Sequence, residues 1–229
     1  MDTRPVAVFD IDGTIFRSSL VLELTEELVL RGIFPKEARS VYEGSKEDWE
    51  NRKAEYEPFI QNVVKAFATS AKGALFSEVA NIAGEIIEAQ KDHVYRYTRD
   101  LVNEYKEKGY FLLAISHSPK FIVDGFAYEQ GFHKSYGTYY ETGPTERFTG
   151  TITDQHLIMN KGAILKHAVA KEGLTFAGSI GVGDTESDVS MLQLVETPIA
   201  FNPNRALYRH ALQNKWKLIV ERKDVVYEI

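Results

Sequence analysis

Four aspartates, one serine and one lysine stand in contexts that could do chemistry together. Asp10 and Asp12 fall in Asp10-Ile11-Asp12-Gly13-Thr14, and Ser116 follows Ile115. Lys161 sits in Asn160-Lys161-Gly162, and Asp184 and Asp188 close the ends of Gly183-Asp184-Thr185-Glu186-Ser187-Asp188. Carboxylates gathered into one small volume repel each other unless a cation joins them. Hard oxygen ligands with open positions suit Mg²⁺, which takes one or two carboxylates plus substrate phosphate and water. A carboxylate can also attack phosphorus to give an aspartyl-phosphate, splitting one difficult hydrolysis into two easier steps. A second carboxyl two residues on can protonate the leaving oxygen and later deprotonate water. The phosphoryl oxygens then need donors: a lysine, a hydroxyl, and backbone N–H groups at a loop or helix start.

Such chemistry requires elements that bring distant residues to one edge. Pro5-Val6-Ala7-Val8-Phe9 is a short apolar run stopping at Asp10, and Tyr110-Phe111-Leu112-Leu113-Ala114-Ile115 stops at Ser116-His117-Ser118-Pro119. Ser179-Ile180-Gly181-Val182-Gly183 stops at Asp184; Pro198-Ile199-Ala200-Phe201 and Lys217-Leu218-Ile219-Val220 are a fourth and fifth run. Continuous apolar runs separated by helical stretches read as buried parallel strands. In open α/β sheets ligands bind beyond the carboxyl ends of such strands, where Asp10, Asp12, Ser116, Asp184 and Asp188 all fall. Lys161 opens a helix instead. Gly109 reads as a helix C-cap, with Lys106 and Lys108 placed for the helix dipole.

The strand pattern vanishes between residues 18 and 92. Trp49, Tyr56, Phe59, Val63 and Phe67 fall near one helical face, and Leu75, Val79, Ile82, Ile86, His93, Tyr97, Leu101 and Tyr105 do so over a longer span. The expected organisation is an α/β core of residues 1–17 and 93–229, interrupted after its first strand by a helical insertion over 18–92. From Lys134 to Thr153, β-branched and aromatic residues around Gly143-Pro144 and Gly150 predict a further strand and a small hairpin.

In this order and spacing the four motifs resemble the haloacid dehalogenase (HAD) superfamily, specifically its phosphoserine-phosphatase-like branch with a helical cap. The first and fourth motifs are specific, whereas Ser116 and Lys161 would mean little alone. The resemblance implies a Rossmann-like parallel-sheet core, a cap inserted after the first strand, Mg²⁺ as cofactor and a small phosphorylated molecule as substrate. It makes Asp10 the nucleophile and a metal ligand. Asp12 becomes the general acid/base, with its backbone carbonyl on the metal, and Thr14 orients the loop. Ser116 and the backbone N–H of His117 bind the phosphoryl group. Lys161 neutralises charge on nucleophile and phosphoryl group. Asp184 is a side-chain metal ligand, and Asp188 holds metal-bound water or Lys161. One departure concerns substrate: the phosphoserine phosphatases carry an acidic residue nine positions after the nucleophile, where this chain has Ser19, with Glu23 the nearest acid beyond. Arg17 and Arg52 are candidate partners for an anionic substrate group by side-chain type alone.

Composition sets the surroundings. The chain has 229 residues, 44% apolar and 26% charged, which is the make-up of a soluble globular protein. No apolar run approaches the roughly 20 residues that span a bilayer, and the N-terminus lacks the features of a secretory signal. The absence of cysteine excludes disulfides and thiolate chemistry and suits a cytoplasmic address. A net charge of −6 argues against a generic nucleic-acid binder. Each motif also has a plainer reading: Asp-x-Asp-Gly is common in turns, Ser116 suits a turn ahead of Pro119, and Lys161 suits a solvated helix start. His93 reads as a core or boundary histidine and the cap aromatics as helix packing. Two other functions compete with phosphate-ester hydrolysis. One is a phospho-acceptor or ligand-binding module without turnover; the other is a phosphonate hydrolase using Lys46, Lys53, Lys65 or Lys72 as a Schiff base.

Overall fold

The computed structural model describes residues 3–153 and 160–229. Its strands are β1 (Pro5–Phe9), β2 (Phe111–Pro119), β3 (Lys134–Thr142), β4 (Phe148–Thr153), β5 (Thr175–Gly183), β6 (Thr197–Phe201), β7 (Lys217–Arg222) and β8 (Val225–Glu228). They form one sheet in the order β4-β3-β2-β1-β5-β6-β7-β8. The inner six run parallel, and β4 and β8 close the edges antiparallel. This is a Rossmann-like α/β core. β1 lies at its centre, with β2 on one side and β5 on the other, so the chain switches direction of build there. That crevice is where a doubly wound sheet receives ligands.

The five apolar runs correspond to β1, β2, β5, β6 and β7, and the expected hairpin is β3–β4. Strand period explains why the runs are apolar throughout: Ala7, Phe9, Leu112 and Val182 join a hydrophobic cluster on one face, while Val6, Val8, Leu113 and Ile115 join a second on the other. β8 was not legible in the sequence. It is four residues long, follows a turn with Lys223 at φ 55°, and its apolar run Val225-Val226-Tyr227 is too short and too exposed to stand out.

Helices cover both faces. α1 (Leu20–Leu30), α3 (Tyr56–Ala71), α4 (Phe76–Gln90), α5 (Arg96–Glu107) and α6 (Lys120–Glu129) lie on the first cluster's side, and α2 (Glu43–Glu50) packs on α3. α7 (Lys161–Glu172), the single-turn α8 (Val189–Leu192) and α9 (Arg205–Asn214) lie on the second's. Two apolar stripes read as continuous are broken. Trp49 belongs to α2 and Tyr56 opens α3; the stripe survives only because the chain turns and stacks Trp49 on Phe59, 5.6 Å between centroids at 16°. The longer stripe divides into α4 and α5. Between them Tyr95 N–H donates to the Ile15 carbonyl (3.0 Å), pinning the junction against the loop after β1. His93 in that junction is exposed, its ring edge-on to Phe16 at 5.8 Å. Gly109, at φ 80° just beyond the α5 C-cap Lys108, takes the left-handed position expected of it.

Candidate active site

Asp10 follows β1 directly, and its N–H still donates to the Val182 carbonyl of β5 (3.0 Å). The next residues fold into a tight loop: Thr14, Ile15 and Phe16 N–H groups all point at the Ile11 carbonyl. Gly13 allows this with φ +77°, and a Cβ there would collide with the Asp184 carboxylate. The loop's glycine is therefore required by backbone conformation and by the neighbouring acid together. Gly183 serves the same end from β5. A Cβ on it would lie 2.5 Å from Asp188 Cβ and Cγ, so the bare backbone lets the Asp184–Asp188 turn close on itself. Asp188 Oδ2 accepts from the N–H groups of Asp184 (3.0 Å) and Thr185 (3.1 Å).

Lys161 enters from α7, whose N-cap Asn160 accepts from Ala163 N–H (3.0 Å). Its side chain is 2% exposed, and its ammonium lies 2.7 Å from Asp10 Oδ1 and 2.6 Å from Asp188 Oδ1. A buried lysine between two buried carboxylates is stabilised by pairing on both sides. Burial alone would lower its pKa; the charges of Asp10 and Asp188 outweigh that and hold it above the ordinary lysine range. Burial likewise pushes Asp10 up to about 7, against the pull of Lys161 and with Asp188 and Asp12 adding to the rise. Asp184 is raised well above the carboxylate range by burial and by the Asp10 and Asp188 charges.

One carboxylate oxygen from each of Asp10, Asp184 and Asp188 lies within 4.8 Å of the other two. This hard, acidic oxygen set fits Mg²⁺. Asp188 already serves Lys161 and two N–H groups, so Asp10 and Asp184 have the freer side-chain oxygens. Thr14 Oγ1 lies 3.3 Å from Asp184 Oδ1 and 3.5 Å from Asp10 Oδ2, tying the two acids. The Asp12 side chain stands outside that cluster. Its Oδ2 accepts from Ser116 Oγ (2.5 Å) and Ser118 Oγ (2.9 Å), and its Oδ1 from Leu20 N–H (2.5 Å) at the start of α1.

A cavity of about 430 Å³ opens over these groups, lined at one end by Asp10, Asp12, Lys161 and Asp184. His117 and Ser118 line it from β2, and the His117 carbonyl accepts from Thr138 Oγ1 (2.6 Å). Ser116 is fully buried beneath that wall, where its hydroxyl meets Asp12 and accepts from Ser118 N–H (2.9 Å). All eight residues singled out from the sequence thus assemble around the end of β1, with Thr14, Ser116 and Asp188 buried below the cavity surface. Sequence reasoning missed Ser118, although two-residue alternation places it on the same side of β2 as Ser116. It also missed Tyr56, Glu57 and Gln61 of α3, which line the cavity; no motif surrounds them. Arg17 and Arg52, by contrast, are exposed and outside the lining, and Lys46, Lys53, Lys65 and Lys72 also lie outside it. Asn202 turns its side chain to Glu221 N–H (2.8 Å), and Asn204 caps α9.

A family model described as haloacid dehalogenase-like hydrolase matches residues 7–193. The chain is 25% identical over 221 residues to a histidinol-phosphatase from Neisseria meningitidis serogroup C, covering 94% of this chain and 98% of the relative. A solved structure from Bordetella pertussis Tohama I, of unknown function, has a TM-score of 0.70 at 21% identity, over 94% of this chain and 98% of that one. A phosphoserine phosphatase solved as a phospho-aspartyl intermediate analogue gives 0.63 at 19% identity, over 97% and 96%. At these identities the structural likeness establishes the fold.

Proposed function

Because this chain belongs to the haloacid dehalogenase-like hydrolase family, we propose that it is a Mg²⁺-dependent phosphomonoesterase acting on a small phosphorylated metabolite through an aspartyl-phosphate at Asp10. The observation that carries the reading is the buried Asp10–Lys161–Asp188 chain at the inner end of the cavity. It leaves one Asp10 oxygen paired with Lys161 and the other beside Thr14. Relatives named for histidinol-phosphate and phosphoserine hydrolysis support a small substrate.

Asp10 Oδ attacks phosphorus, forming the O–P bond of the aspartyl-phosphate as the bond to the leaving oxygen breaks. Asp12 gives that oxygen its proton, and Ser116 and Ser118 orient the carboxyl for the task. Asp12 then takes a proton from water, which attacks phosphorus and releases inorganic phosphate with Asp10 regenerated. Lys161 carries positive charge against the phosphoryl oxygens throughout, fixed in place by Asp188. Asp10 and Asp184, with the Asp12 carbonyl, would hold Mg²⁺, which would supply charge neutralisation for the phosphoryl group. The helices of 18–92 serve as a cap whose α3 closes over the leaving group and excludes water. A cytoplasmic address suits the cysteine-free sequence.

Replacing Asp10 by Asn keeps size and removes the nucleophile. Turnover of p-nitrophenyl phosphate with Mg²⁺ should fall by at least about 10³-fold; normal turnover in Asp10→Asn would refute the mechanism.

A further inference from the structure

The cavity's outer wall carries an acid, Glu57, that pairs with no lysine or arginine among the described residues. α3 presents Tyr56 and Glu57, then Ile60 and Gln61 one turn later, then Val64, all to the same space, the i, i+3/i+4, i+7 spacing of one helical face. Among the described residues Lys161 is the only lysine or arginine lining that cavity, and Asp10 and Asp188 already engage it. Glu57 forms no ion pair among the described residues; its partner there is the neutral Gln61 amide, whose Nε2 donates at 2.9 Å. The contrast lies two residues away, where Glu55, outside the lining, pairs with Arg205 at 3.4 Å. Burial raises the Glu57 carboxyl above its ordinary range. A second polar atom also waits: Ser19 lines the cavity, is 1% exposed, and its Oγ has no hydrogen-bond partner among the described residues. Val21, Ile60 and Val64 complete the same space with apolar surface.

We infer that Glu57 is a specificity residue selecting phosphomonoesters whose leaving group carries a protonated nitrogen and no carboxylate, a deepening that rests on the phosphomonoesterase reading above. With the phosphoryl group at Asp10 and Lys161, the carbon body lies along the apolar strip and its cationic nitrogen meets Glu57. A half-buried carboxylate without a counter-ion favours a cation brought by the ligand. A carboxylate on the leaving group would face Glu57 with no free cation to receive it, so the same residue rejects as well as selects.

Three probes isolate the charge. Ethanolamine phosphate carries the amine, n-propyl phosphate is its neutral isostere, and O-phosphoserine adds a carboxylate. With Mg²⁺, kcat/KM for ethanolamine phosphate should exceed the other two by at least about tenfold. In Glu57→Gln the amine-to-propyl ratio should collapse to within about threefold, while Glu57→Asp should keep most of it. Each ratio is read within one protein preparation, so partial misfolding of a variant cancels. A wild-type ratio near one, a preference for phosphoserine, or a ratio unchanged in Glu57→Gln would overturn the inference while leaving the phosphatase reading intact. Failure to hydrolyse any of these or p-nitrophenyl phosphate would bring down both.

Discussion

Lys161 is the residue on which the site's electrostatics turn. It is buried between two carboxylates, and removing it leaves acids that must either protonate or repel. Lys161→Met, which keeps the length and drops the charge, should cost about 3–5 kcal/mol of stability by stranding a buried acid pair, as read by urea denaturation. It should also cut kcat by roughly 10²–10³-fold. A variant as stable and as active as wild type would contradict the assigned geometry. The residues of this centre were legible because glycines and acids recur at fixed offsets after apolar runs. Ser118 and Glu57 were not, for different reasons. Ser118 repeats the type of Ser116 and looks like a second turn residue, and Glu57 is one acid among many in a helical stretch whose orientation is set only by packing.

At the scale of elements, the sequence showed strands better than helix ends. Buried parallel strands leave an apolar run whatever surrounds them, whereas the break between α2 and α3 is bridged by ring stacking of Trp49 on Phe59 that periodicity cannot distinguish from one helix. α5 illustrates a boundary made from far away. Its first N–H groups, Arg96 and Tyr97, donate to the Glu221 carboxylate at 3.1 and 2.8 Å, so a residue of β7 does the work that a local Ser or Asp usually does. Glu221→Ala should therefore lower stability by about 0.5–2 kcal/mol. Hydrogen exchange should show the loss at Arg96 and Tyr97 first; unchanged protection there would contradict the remote cap.

Across the whole molecule, the acids at the sheet's switch point make stability depend on pH. The Asp10 carboxyl titrates at 3.8 ordinarily and at about 7 in the fold, and Asp184 shifts the same way. Below 3.8 both folded and unfolded chains hold the proton. Between 3.8 and about 7 the folded chain retains a proton the unfolded chain has lost, so this contribution to stability falls as pH rises through the window. In excess chelator, the melting temperature of wild type relative to Asp10→Asn should fall from pH 4 to pH 7.5. A constant or rising difference would contradict a raised Asp10. On the proposed mechanism, Mg²⁺ bound beside Asp10 would favour the charged carboxylate that nucleophilic attack needs.

The central claim is a covalent one, that Asp10 carries the phosphoryl group between two half-reactions. It is tested most directly by acid-quenching the enzyme during turnover of p-nitrophenyl phosphate with Mg²⁺ and mapping the peptides by mass spectrometry. The account predicts a hydroxylamine-labile phosphoryl adduct on Asp10, absent without substrate. Sustained turnover with no adduct, or with the adduct on another residue, would contradict it.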